Sequence, residues 1–298
     1  MAVSDVRHEG ARPEEPATSA DALAWLSAEH RVLLAVLARS TDAGLDSQIW
    51  QLAKSLDEFL YRAGHWHDQI AAWEAALSAA RRLGDAAAQG AAHRGLCRAK
   101  TRLGLDHEAH IHLRDALTLD TQADYKEGQA QTHYFLAYLE ERQGDRAKGL
   151  RHVEQALSLY QETGNRAGEA EALNAIGWHH ALLGDYDRTL HHCGRALPLL
   201  RQLGRRMGEA GTLHSLGYAH HHLGDSARAV ECYQQALALL RDLGERFHEG
   251  EVLIHLGDAH CAAGDTSAAR EAWQRAMDIF NELGHPDVVK AETKLAEL

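Results

Sequence analysis

Cysteine and proline are scarce, four of each in 298 residues. Cys97, Cys193, Cys232 and Cys261 form no C-x-x-C pair, so neither a disulfide framework nor a cysteine zinc motif is indicated. They read as reduced thiols of a cytoplasmic protein. Long apolar runs are missing as well. The longest, Val32 to Ala38, falls far short of the roughly 20 residues a membrane span needs, and no signal-peptide pattern opens the chain. Basic charge is in deficit. Thirty-one Lys and Arg against 43 Asp and Glu leave a net charge of −12, which argues against nucleic-acid binding by this chain. No G-x-x-x-x-G-K-[ST] occurs, which excludes that phosphate-cradling loop, and no helix-turn-helix segment is evident before Asp21.

What the sequence does have is a rhythm of forty. Residues 205–244 nearly repeat 165–204, and a glycine recurs at Gly64, Gly104, Gly144, Gly184, Gly224 and Gly264. A second glycine column reads Gly84, Gly164, Gly204, Gly244 and Gly284. Self-similarity at such a period marks a repeat array. Within one unit Leu213, Leu216, Gly217 and His220 share a helical stripe. Gly224-Asp225 then breaks the helix and offers a cap to the next, whose stripe runs through Ala229, Tyr233, Ala236, Leu237 and Leu240. Each unit is therefore a pair of helices about 18 residues and 27 Å long. Small residues stand where the pair would touch: Gly177, Gly217 and Gly257 on first helices, Ala76 through Ala276 on second ones. One such hairpin cannot bury its own stripes, so neighbours must stack. The predicted fold is all-α, an α-solenoid of about six forty-residue hairpins with a capping helix at each end.

The spacing resembles the tetratricopeptide repeat through Leu213, Leu216-Gly217, Ala229, Tyr233 and Ala236. It departs from that family in period (about 34 there), in histidine at the usual tyrosine (His180, His220, His260) and in lacking a closing proline. Along the chain, 1–20 reads as a disordered lead or linker remnant. A cap helix over 21–43 follows, with Asp21 as its N-cap, and the rest forms a single solenoid domain. The repeats are placed at 45–83, 85–123, 124–163, 164–203, 204–243 and 244–283, and a C-terminal cap helix at 286–298. Pro198 breaks the local rule, since it falls inside a second helix and removes a hydrogen bond to Gly194; it is expected to bend that helix.

Segments at Ala24-Trp25-Leu26 through Glu29-His30, at Ile49-Trp50-Gln51-Leu52-Ala53, at the Arg62–Trp66 turn and at Glu282-Leu283-Gly284-His285-Pro286-Asp287 are similar to the C-terminal sensor region of AfsR-like and SARP-type actinobacterial transcriptional regulators. The abundance of arginine over lysine fits a high-GC bacterium. That resemblance implies a ligand-facing wall on the first helices, away from the packing leucines. Carrying the columns across gives Arg94, Arg98 and Arg102, then Tyr134, Tyr138, Glu141 and Arg142. Next come Asn174 and Trp178, then Gly211, His214, Tyr218, His221 and His222, and last Asp258 and Cys261. A concave, partly apolar surface with a few converging polar groups suits a ligand, and an arginine fork suits carboxylate or phosphate. The expected partner is a protein or peptide segment, acidic in character, or a small anionic effector. Both the arginine stripe and the aromatic column also have plain readings, as a solvated helix face and as packing.

Histidine is abundant, with 22 residues and runs such as His191-His192 and His220-His221-His222. The segment His107–His112 misses H-E-x-x-H because Ile111 stands at the second ligand, and Asp187 with His191 offers two ligands where three or four must converge. No metal ligand set and no cofactor is predicted, and no catalytic residue. Imidazoles of ordinary pKa would make the stack sensitive to mild acid. The preferred reading is a non-catalytic binding and regulatory module, the sensor part or a stand-alone relative of a regulator of secondary metabolism. The alternatives are a histidine-rich metal-binding protein or enzyme, and a passive scaffold that self-associates, for which a homodimer through the solenoid ends is the simplest form.

Overall fold

A computed structural model describes residue 16 and residues 18–298. Fourteen α-helices follow one another in this range: α1 (Ser19–Asp42), α2 (Asp46–Arg62), α3 (Trp66–Arg82), α4 (Ala86–Arg102), α5 (Asp106–Gln122), α6 (Lys126–Arg142) and α7 (Arg146–Thr163), then α8 (Arg166–Leu182), α9 (Tyr186–Gln202), α10 (Arg206–His222), α11 (Ser226–Leu243), α12 (Arg246–Ala262), α13 (Thr266–Glu282) and α14 (Val288–Ala296). These helices form consecutive hairpins, and the α-solenoid fold class holds. The chain falls into two compact units that divide within α6, between Phe135 and Leu136.

The turns explain the period. From α2 to α13, helices of 17 or 18 residues alternate with three- or two-residue connections, so the same face returns every forty residues. Of the thirteen connections, twelve hold a glycine with φ between 61° and 85°, a region most side chains avoid. The exception is Asp124, which adopts φ 49° in the glycine column. Asp85, Asp145, Asp185, Asp225 and Asp265 each accept the backbone N–H three residues on, at 2.9–3.1 Å, and so cap the following helix. At the N-terminus the expected cap is off by three. Thr18 is the N-cap and Asp21 its partner in a capping box, each side chain accepting the other's backbone N–H at 3.1 Å. The lead expected over 1–20 lies outside the described residues except for Pro16 and 18–20, and helix α1 already begins at Ser19.

Packing in both units rests on the same device. The alanine column Ala76, Ala116, Ala156, Ala196, Ala236 and Ala276 is fully buried. In the first unit Trp50, Leu56, Leu60, Trp73 and Leu96 build the core around it. In the second, Tyr233 and Phe280 are among the largest fully buried side chains. Tyr233 lies flat against Gly217, where an added Cβ would stand 2.6 Å from its Cε1. Gly250 bears the same relation to Phe280 at 2.8 Å, and Gly257 to the indole of Trp273. Pro198 leaves α9 continuous from Tyr186 to Gln202, with its exposed ring on the outer side and open space beside Gly194. His180 is buried and stacks on His192, while His220 and His260 are half-buried.

Gly217→Ala is expected to destabilise the fold by about 1–3 kcal/mol through overpacking against Tyr233. Gly194→Ala, which meets nothing, should stabilise it by about 0.5–1 kcal/mol as an ordinary helix-interior exchange. Paired urea melts decide, and equal effects of one sign would remove the close-packing argument.

Candidate functional site

In the first unit the three arginines of the expected wall are engaged within the chain. Arg94 is buried; its Nη1 donates to Asp120, which is fully buried, and lies 3.4 Å from Gly128 O and Thr132 Oγ1. Gly90 and Gly128 leave the space that Asp120 occupies, since a Cβ on either would approach its Oδ1 within 2.7 Å. Arg98 pairs with Asp57 at 3.2 Å and Glu58 at 2.9 Å, and its guanidinium lies 3.5 Å over the Tyr61 ring. Arg102 is buried and donates to the Tyr61 hydroxyl. These contacts tie α4 to α2 and α5 and match most of the stripe's charge. Tyr134 is half-buried with its ring edge against Phe135. Arg142 is exposed.

In the second unit α6, α8, α10 and α12 place an aromatic and imidazole wall side by side. Trp178 on α8 donates its indole N–H to Glu141 Oε1 at 2.9 Å. Its ring meets His214 at 5.4 Å and Tyr218, edge-on, at 5.2 Å. Tyr218 stacks on His222 at 4.1 Å and meets His255 at 5.3 Å. Tyr186 stacks on the other side of the cluster against His222, at 5.1 Å. His214 Nε2 and His255 Nδ1 are 2.6 Å apart, their rings stacked. Beyond Tyr218 opens a cavity of about 630 Å³, lined among others by His221, His222, His255, Asp258, Cys261, Trp273, Lys294 and Leu298. Lys294 on α14 reaches Asp258 at 2.9 Å. Of the other expected residues, Tyr138 is half-buried on α6. Asn174 accepts from Ser215 Oγ at 3.0 Å and so faces α10.

The structure thus brings Trp178, His214, Tyr218, His221, His222 and Asp258 together. It adds Tyr186, His255, Trp273 and Lys294, which the column argument passes over. His255 lies three residues before Asp258 and so shares its helix face, a signal that the strict forty-residue shift from Ser215 hides. Lys294 belongs to α14, outside the period. Neither His107–His112 nor the Asp187/His191 pair joins a three-ligand group among the described residues.

Burial governs the electrostatics of the wall. It pushes His255 down to about 3, with Lys290 adding to the shift, and His214 well below its ordinary value, so both stay neutral. Elsewhere His93 and His179 are pushed down to about 4, chiefly by burial and next by His112 and His180. Burial also raises Glu141 to about 7, against the opposing hydrogen bond from Trp178. Cys97 and Cys193 are pushed up to about 12 by burial and are inert thiols near neutrality.

The tetratricopeptide repeat profile matches residues 128–202, 179–242 and 208–282, together just over half of the sequence. The chain belongs to the tetratricopeptide repeat family. No curated protein sequence matches it. Among solved structures, BtubC (BKLC) from P. vanneervenii is 24% identical with a TM-score of 0.55, over 74% of this chain and 94% of that one. A Rap protein in complex with competence and sporulation factor gives 14%, 0.62, 84% and 76% in the same order. A Signal Transduction ATPase with Numerous Domains (STAND) protein with a tetratricopeptide repeat sensor, from Pyrococcus horikoshii, gives 13%, 0.59, 91% and 41%. These likenesses establish the shared fold. Among the described residues no helix is long and apolar enough to cross a membrane. A tetratricopeptide module of this kind is a protein-interaction scaffold.

Two pH effects follow. The folded pKa of Glu141 lies above its ordinary 4.5, so the neutral form favours the fold at low pH and that contribution is lost as pH rises through about 7. Fluorescence of Trp178 should therefore show a transition near pH 7 that Glu141→Gln abolishes; an unchanged transition in that variant would reject the assignment. The depressed imidazoles act in the opposite sense. Their stabilisation is complete above 6.5 and drains as pH falls toward about 4, so His179→Asn should flatten the acid limb of the stability profile measured by denaturant titration.

Proposed function

We propose that the chain is a non-catalytic sensor module that binds a peptide or protein segment on the α8–α10–α12 wall of its second unit. The observation that carries this reading is the convergence of Trp178, Tyr218 and His222 beside the 630 Å³ cavity. A cavity of that size, where Trp273 and Leu298 stand among imidazoles and the charged groups of Asp258 and Lys294, is suited to a side chain or short segment of a ligand. Aromatic side chains of this kind are the usual anchors of an interface. Support from relatives is of the same character, since one similar structure holds a Rap protein with competence and sporulation factor and another a protein with a tetratricopeptide sensor.

The arginine stripe gives little reason to prefer an acidic occupant, because Arg94 and Arg98 already face Asp120, Asp57 and Glu58. The wall instead offers indole, phenol and imidazole faces, the carboxyl of Glu141 and the Asp258–Lys294 pair. A segment with aromatic or aliphatic side chains and a hydrogen-bond donor for Glu141 fits it best; a small anionic effector would have to rely on Lys294. The resemblance to AfsR-like and SARP-type regulators around Trp25, Trp50 and Gly284–Asp287 makes the regulatory context of secondary metabolism our preferred setting, inside the cytoplasm.

A displayed random-peptide library panned on the protein would supply probes, whose affinities are then measured by fluorescence anisotropy. Trp178→Ala and Tyr218→Ala should each weaken the enriched peptides by about thirty-fold, the effect of losing about 2 kcal/mol at an anchor. Arg98→Gln should leave them unchanged. Peptides that bind all three variants equally, or that depend on Arg98 alone, would overturn the proposed site.

A further inference from the structure

Two imidazoles and a carboxylate meet where α1 packs on the first hairpin, at a place outside the repeat register. His30 lies midway along α1, thirty-five positions before His65, which is the N-cap residue of α3. Asp68 follows in the first turn of α3. One ligand atom from each of the three lies within 4.8 Å of the others. His30 Nε2 is 3.0 Å from Asp68 Oδ2, and the rings of His30 and His65 are 4.2 Å apart. Phe59 seats both rings, 5.6 Å from His30 and 5.9 Å from His65, so their positions are set by the core beneath them.

Local bonding at this place is incomplete in a way that points to a ligand. His30 Nε2 is buried and makes no well-aligned hydrogen bond, although the carboxylate is within reach. His65 stands where Asp145, Asp185, Asp225 and Asp265 cap their helices and, like Leu105 in the same column, makes no side-chain cap bond. Giving up such a cap costs about 1 kcal/mol. Trp66, next in sequence, is buried and anchored by its indole N–H to Tyr61 O at 3.2 Å, which fixes the turn that presents His65.

We propose that His30, His65 and Asp68 bind a divalent transition-metal cation of the zinc class and thereby fasten α1 to the α2–α3 hairpin. Two imidazole nitrogens and one carboxylate oxygen form a donor set that suits zinc, cobalt or nickel and is too rich in nitrogen for magnesium or calcium. Tetrahedral ligation at 2.0–2.1 Å places donor atoms about 3.4 Å apart. His30 and Asp68 already meet that spacing, and the remaining contraction is within the reach of side-chain rotation. Three protein ligands leave a fourth position for water, on the partly open side where Asp68 is 41% accessible. A cation bound there stabilises the folded chain by mass action and holds the terminal helix in place.

The test uses the full chain after chelator treatment, with the metal alone as probe. Zinc titration by calorimetry should give a saturable site, cobalt should develop the visible absorption of a four-coordinate centre, and saturating zinc should raise the melting temperature by several degrees. His30→Gln and Asp68→Asn should each lower zinc affinity by at least about tenfold and remove the cobalt band. A double variant on the other histidine-rich surface, His191→Gln with His192→Gln, should retain both. Asp68→Asn preserves shape on a half-exposed side chain, so it stays informative should His30→Gln unfold, and far-UV circular dichroism without metal separates the two cases. Absence of a zinc-dependent shift in the wild-type chain, or equal affinity in the Asp68→Asn chain, would overturn the proposal.

Discussion

Everything in this molecule depends on side chains that are missing their Cβ or end at it. Gly217 and Gly257 on the first helices admit the flat faces of Tyr233 and Trp273 on the second ones, and Ala236 and Ala276 are fully buried on the same second helices. Close approach fixes each hairpin, and hairpins of equal length then present equal faces. Because the period is forty, Trp178, Tyr218 and Asp258 fall at equivalent positions on neighbouring helices. The wall is thus a by-product of packing. Bulky residues on one side of the seam and small ones on the other leave the opposite side of the first helices for polar and aromatic groups.

The electrostatic character of that wall follows from the same depth of packing. Imidazoles that would carry charge at mild acidity on a surface are held neutral, and a carboxylate that would be ionised is held close to neutrality. Opposite charges that would otherwise face solvent are folded back onto the chain at Arg94, Arg98 and Asp258. The exposed acid excess of the sequence therefore says little about the wall, where Glu141 sits within a group of uncharged rings.

How much of this could be read in advance depends on whether the information was local. Hairpins, their lengths, the left-handed glycines and most aspartate caps follow from residues a few positions apart, and they formed as expected. Thr18 and Asp21 show the limit of that reading, since a capping box contains two candidate caps and the periodic stripe does not say which comes first. The arginine stripe shows a different limit. Its spacing on α4 was evident, but Asp57, Asp120 and Tyr61, which engage it, lie 26 to 41 positions away on other helices. His255 was hidden by a column count that landed on Ser215. The His30, His65 and Asp68 group was hidden because one member precedes the repeats altogether. Pro198 suggested a bend; its exposed ring sits within a helix that continues from Tyr186 to Gln202.

The contact between His214 and His255 has one further consequence. At 2.6 Å between two neutral imidazole nitrogens there is room for a single proton. If His214 supplies it, the remote nitrogen of His255 must carry a hydrogen of its own; if His255 supplies it, that remote nitrogen is a bare lone pair. The tautomer of one ring dictates that of its neighbour, so the cavity edge at His255 can present either a donor or an acceptor without any change in net charge. Recognition at that edge would then be ambidextrous, adapting by relocation of a hydrogen where a rigid amide or hydroxyl frame would need a side chain to turn.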